Sequence, residues 1–188
     1  MTGFEYASGL ISIVVGLGIA RVLGGVGAFL RLHNRTPHDW IVGTWCLVLF
    51  LTLVVWWMLG WQVLRVQAQI SLGTLVFWTF ATALLYLSAY LLVPATIVDR
   101  SGGPETNSEL PRGAFFACLA AHFALMLVYI IVAPPLGSGL GERVTIGAIT
   151  IVSATGAAIK TNWGYTLHLA VWVAVTFGTA LTSLTAIR

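Results

Sequence analysis

The chain has 188 residues, of which 59% are hydrophobic, and nine basic against six acidic residues leave a net charge of +3. A soluble domain of this length carries roughly 47 charged residues at the usual quarter of its composition, three times what is present. Together with a mean hydropathy of +0.95, this excludes an ordinary cytosolic enzyme, a disordered tail and a nucleic-acid binder. It implies one all-α integral membrane domain over residues 1–188, with the lipid bilayer as its first partner.

Apolar run lengths predict six transmembrane helices, at 4–32, 38–64, 70–98, 112–133, 144–160 and 163–187. The first opens on Thr2-Gly-Phe-Glu5, which fits a capping box, and no basic region or cleavage site marks it as a removable signal. Thr36-Pro37-His38-Asp39 gives the second a cap, a first-turn proline and an acid on the positive end of the helix dipole. Pro94 lies near the end of the third, and Pro134-Pro135 stops the fourth. Asp99–Arg112 is the long polar loop. The fifth segment, between Arg143 and Lys160, covers only about 24 Å, short enough to thin the bilayer or to re-enter it. No internal repeat of the kind common in secondary transporters is evident.

The basic residues stand singly at the ends of apolar runs. Arg31, Arg35, Arg100, Arg112 and Lys160 fall on one side, and Arg65, Arg143 and Arg188 on the other. This five-to-three division places the first side in the cytoplasm and both termini outside, and it is again five to three if the fifth segment does not cross. Trp40, Trp45 and Trp163 fit one interfacial belt and Trp56, Trp57 and Trp61 the other, with Trp172 deeper and engaged in packing.

Ser8, Ser12, Gly16, Ala20, Gly24 and Ala28 recur every four residues along the first helix. Such a ladder lets a second backbone approach closely, which is how helices associate where lipid removes the hydrophobic drive. It is expected to be covered at short axial distance, by helix 2 or 3 of the same chain or by another subunit. In the same stretch Phe4-Glu5-Tyr6, Leu10-Ile11-Ser12-Ile13 and Gly16-Leu17-Gly18, ending at Leu30-Arg31, resemble the start of a family of uncharacterised bacterial multispan membrane proteins. Leu84-Leu85-Tyr86-Leu87 through Pro94 is similar to that family's third span, the likeness covering about a quarter of the chain. The resemblance implies a multi-pass protein of the bacterial inner membrane and assigns no activity.

Arg21 lies inside the first span, where an arginine costs about 2.5–3.5 kcal/mol on insertion scales. It can snorkel to headgroups, face a wet cavity holding an anion, or pair with an acid such as Asp39 or Asp99. Cys46, Cys118 and His168 each lie about 8–9 Å deep on helices entering from one side, and His122 about 15 Å deep. Cys118 and His122 share a face, with Tyr129 seven residues further along.

This polar layer admits a proton or solute path, a b-type haem held by His122 and His168, a soft metal on the Cys/His groups, or interhelical hydrogen bonds alone. Dedicated zinc spacing is absent, so no metal site is assigned. Thr79, Thr82, Tyr86 and Tyr90 line the third span at helical spacing, where hydroxyls can return their bonds to the helix itself. There is no Ser/His/Asp set, no paired intramembrane carboxylates and no phosphate-cradling loop, so catalysis has little support. The first expectation is a self-associating channel or transporter-like unit for a small solute or ion, lined by Arg21, His122 and His168. The alternatives are a non-catalytic accessory or scaffold subunit of a larger membrane complex, and a haem-binding electron carrier.

Overall fold

The computed structural model describes residues 3–31, 37–67, 70–93, 112–132, 140–156, 158–159, 164 and 167–174. Every regular element among them is helical: α1 (Gly3–Arg31), α2 (Pro37–Arg65), α3 (Leu72–Leu92), α4 (Arg112–Val132) and α5 (Leu140–Gly156), with 164 and 167–174 also helical. The first four are long and apolar enough to cross a membrane, whereas α5 is a shorter apolar helix of 17 residues. The expected loop 99–112 apart from Arg112, the caps at Thr2 and Thr36, Trp163 and most of the sixth span lie outside the described residues.

Helix ends follow local chemistry. Glu5 in the first turn of α1 and Arg31 in its last each face the dipole end of opposite sign. Pro37 opens α2, where its missing N–H costs nothing. The Ser71 hydroxyl accepts from the Thr74 N–H at 3.1 Å and caps α3. α3 stops at Leu92 rather than at the expected 98, although apolar residues continue. Pro94 pushes the residue before it out of helical backbone, and Val93 accordingly has φ −107°, ψ 86°.

The chain groups into two compact units, residues 1–115 and 116–188. In the first, α1 and α2 form an antiparallel hairpin. Going up α1, Phe4 meets Trp61 at 4.9 Å, Ser12 accepts from the Trp57 indole at 2.9 Å, Gly18 faces Leu53, and Phe29 meets Gly43 and Trp40. α3 runs parallel to α1, with Gly3 near Ile70, Gly18 near Tyr86 and Gly25 against Val93. Phe115, near the start of α4, stands edge-on to Trp45 at 5.6 Å.

The face that α1 gives to this packing is Ala7, Ile11, Val15, Gly18, Val22 and Gly25. At 3.6 residues per turn its centre lies roughly 170° from that of the Ser8–Ala28 ladder. The two glycines on the buried face let neighbours approach closely, Leu53 at Gly18 and Val93 at Gly25.

Between α2 and α3 the Trp56 indole donates to Thr82 Oγ1 at 2.9 Å, and that hydroxyl donates to the Trp78 carbonyl at 2.7 Å. The Trp56 and Trp78 rings lie 4.5 Å apart. Trp45 and Trp56, 3% exposed each, are therefore packing residues rather than members of the expected interfacial belts, while Trp40, Trp57 and Trp61 are exposed. Thr82→Val keeps the shape and removes the acceptor for a buried indole N–H, a loss of about 1–3 kcal/mol. Trp56→Phe removes the donor instead and leaves the Thr82 hydroxyl its bond to the Trp78 carbonyl, so its hydrogen-bond loss is smaller. Equilibrium unfolding in detergent followed by tryptophan fluorescence checks the Thr82→Val value.

In the second unit α5 runs back along α4, with Gly147 near Leu127 and Gly156 against Phe116. The helical segment 167–174 then runs alongside α4, His168 meeting Phe116 at 5.1 Å and Trp172 meeting Phe123 at 6.2 Å. The Trp172 indole donates to Ser153 Oγ on α5 at 3.3 Å, which places it in packing as its depth in the sequence implied.

Candidate functional site

Arg21 is the charged group that the sequence leaves inside the first span, and its partners come from α3. Its Nη2 donates to the carbonyl of Val93, the C-cap residue, and its guanidinium carbon sits 5.0 Å from the centre of the Tyr90 ring. A helix C-terminus is a natural place for this charge, because its last carbonyls lack intrahelical donors and carry the negative end of the dipole. One turn further along α1, Gly25 lies directly against the Val93 side chain, where a Cβ would come within 2.5 Å of Val93 Cγ2. Arg21 and Gly25 thus grip the same residue, one through its carbonyl and the other by offering no side chain. The charge is met here by a protein carbonyl and an aromatic face; the Asp39 side chain and Asp99, the acids weighed from the sequence as its partners, lie outside the described residues.

His122 and His168 belong to the second unit, whereas Arg21 belongs to the first. Both histidines are buried, at 1% and 6% exposure. Phe123 stands edge-on to His122 and Phe116 edge-on to His168, each at 5.1 Å. Cys118 is half-buried on the same helix as His122, and Cys46 is buried in the first unit; both are free thiols. Among the described residues no group of three or more His, Cys, Asp or Glu side chains is gathered as metal ligands would be.

The ladder on α1 is open along its middle. Gly16, Ala20 and Gly24 are exposed, and among the described residues nothing lies within 4 Å of a Cβ placed on Gly16 or Gly24. Ser8, Ser12 and Ala28 at its two ends are half-buried, Ser12 through its bond from Trp57. The expected close cover by helix 2 or 3 is therefore not what α2 and α3 provide. They take the opposite face.

The features missed from the sequence were Gly18 and Gly25, the Ser71 cap and the link from Arg21 to the end of α3. Pro94 carried the available signal for that link: it fixes where α3 ends, and a helix end attracts a cation. No known protein family, curated protein or solved structure matches the chain.

Proposed function

We propose that the chain is a non-catalytic, self-associating subunit of the bacterial inner membrane whose copies meet along the small-residue ladder of α1. The observation carrying this reading is the open stretch Gly16–Ala20–Gly24, set opposite the face that α2 and α3 occupy. In lipid, helices associate through close packing and not through hydrophobic burial, so a smooth face of small side chains directed away from its own unit serves a neighbour. Arg21 argues in the same direction. Its charge is answered by the Val93 carbonyl and the Tyr90 ring, so it braces the fold rather than lining a solute path.

A solute or proton path remains the second reading, favoured by the buried His122 and His168 in the second unit. The test is the mass of the purified chain in mild detergent together with its visible spectrum and proton flux in liposomes. The assembly reading expects a colourless homo-oligomer that Gly16→Leu with Gly24→Leu reduces to monomers, with no flux. Flux lost on His122→Phe or His168→Phe would favour the path. A Soret band would favour haem on those histidines, and an unchanged mass in the leucine variant would sink the ladder as a seam.

A further inference from the structure

We infer that the partner on the α1 ladder is a second copy of the chain inserted in the opposite orientation, so that the two α1 helices cross antiparallel; this rests on the assembly reading above. A stripe of small residues says only that something approaches closely. The charges at its two ends say what approaches. Glu5 and Arg31 are both exposed, and both fall on the ladder's side of α1, each roughly 40° from its centre line at 3.6 residues per turn. Ser8 and Ala28, Ser12 and Gly24, Gly16 and Ala20, and finally Glu5 and Arg31 are all symmetric about position 18.

A two-fold axis on the ladder side of α1, at the height of position 18, lays Gly16 against Ala20 and Ser12 toward Gly24, and brings the acid of one copy toward the guanidinium of the other, twice. Two copies inserted the same way would instead set Glu5 beside Glu5 and Arg31 beside Arg31. Complementary charge across an interface fixes register and suppresses the wrong pairing more than it adds affinity, and that is the part it plays here. The close packing of the small residues supplies the attraction.

Two requirements of such a pair are met. An axis in the membrane plane must lie at mid-bilayer, and position 18 is the middle of the stretch 6–30 between the two charges and one residue from the middle of α1. Both orientations must also be accessible during insertion, which is set by the difference in Lys and Arg between the two sides. Here that division is five against three, whether or not the fifth segment crosses, an excess of only two that favours one orientation without excluding the other.

The experiment uses the full chain in membranes with Cys46 and Cys118 replaced by alanine. Two differently tagged copies are co-expressed, one carrying Ser12→Cys and the other Gly24→Cys, and oxidised. The antiparallel pair predicts a disulfide between the two copies and almost none when either variant is expressed alone. Strong cross-linking of each single variant to itself would overturn the inference and leave the assembly reading standing. No cross-link in any combination would overturn both. Because a cysteine on the ladder can itself disturb packing, a C-terminal topology reporter on the otherwise unaltered chain gives a second readout. The inference expects signal from both sides of the membrane in comparable amounts, and signal from one side alone overturns it.

Discussion

Gly25→Leu should destabilise the fold more than any other single glycine replacement on α1, by about 3 kcal/mol or more, at the upper end of the overpacking range. The Cβ alone would stand 2.5 and 2.8 Å from the two Val93 methyls, and valine cannot swing them aside because branching at Cβ stiffens its first torsion. Relief would have to come from the backbone at the end of α3, which would also pull the Val93 carbonyl away from Arg21. Gly18→Ala meets Leu53 methyls at 3.2 and 3.3 Å, the far end of a flexible side chain, so it should be absorbed by small shifts. Gly24→Leu, adjacent in sequence to Gly25, points into open space. There the exchange of glycine for a better helix former adds up to about 1 kcal/mol to the isolated chain, while any assembly on that face is lost. Thermal unfolding of Gly24→Leu and Gly25→Leu in the same detergent checks this, and a larger loss for Gly24→Leu than for Gly25→Leu would show that α1 is packed the other way round.

That contrast between neighbouring glycines marks the limit of what the sequence disclosed. Hydropathy and run length placed the starts and ends of α1, α2 and α4 within a few residues, because a span must be long and apolar whatever it packs against. The end of α3 was misplaced because hydropathy does not register backbone: the residues after Pro94 are apolar enough to continue a span, but the helix stops before the proline. The period-four ladder was legible, and its side was not. The packed face of α1 mixes large residues, Ile11, Val15 and Val22, with glycines seven apart, a weaker pattern than an unbroken run of small ones. Trp45 and Trp56 were placed by depth, yet depth does not say whether a ring turns to lipid or to a neighbouring helix, and both turn inward. Arg21 was identifiable as a problem and not as a solution, since its partner stands 72 residues away at a helix end that only the fold brings near.

Replacing Arg21 should loosen the end of α3 while leaving the rest of the first unit in place. Arg21→Met keeps most of the apolar stem and removes the charge and its donors. Lost with them are a charge-assisted hydrogen bond to the Val93 carbonyl, about 1.5–3 kcal/mol, and the stacking on Tyr90, about 0.5–2 kcal/mol. Set against this is the relief of a partly desolvated guanidinium whose Nε is buried without a described acceptor. We expect the balance to be a net loss of about 1–3 kcal/mol, since an orphaned carbonyl in an apolar setting is left behind. Arg21→Lys should fall between, because an ammonium can donate to the carbonyl but cannot lie flat over a ring. In a double-mutant cycle Tyr90→Leu should cost less in the Arg21→Met background than in the parent chain, the difference being the stacking contribution. Hydrogen exchange supplies the local readout: the Val93 amide, bonded to the Ala89 carbonyl at 3.3 Å, should exchange faster in Arg21→Met, while Trp56 and Thr82 keep their protection. If stability and exchange at the end of α3 are the same in Arg21→Met as in the parent chain, the arginine does not cap that helix.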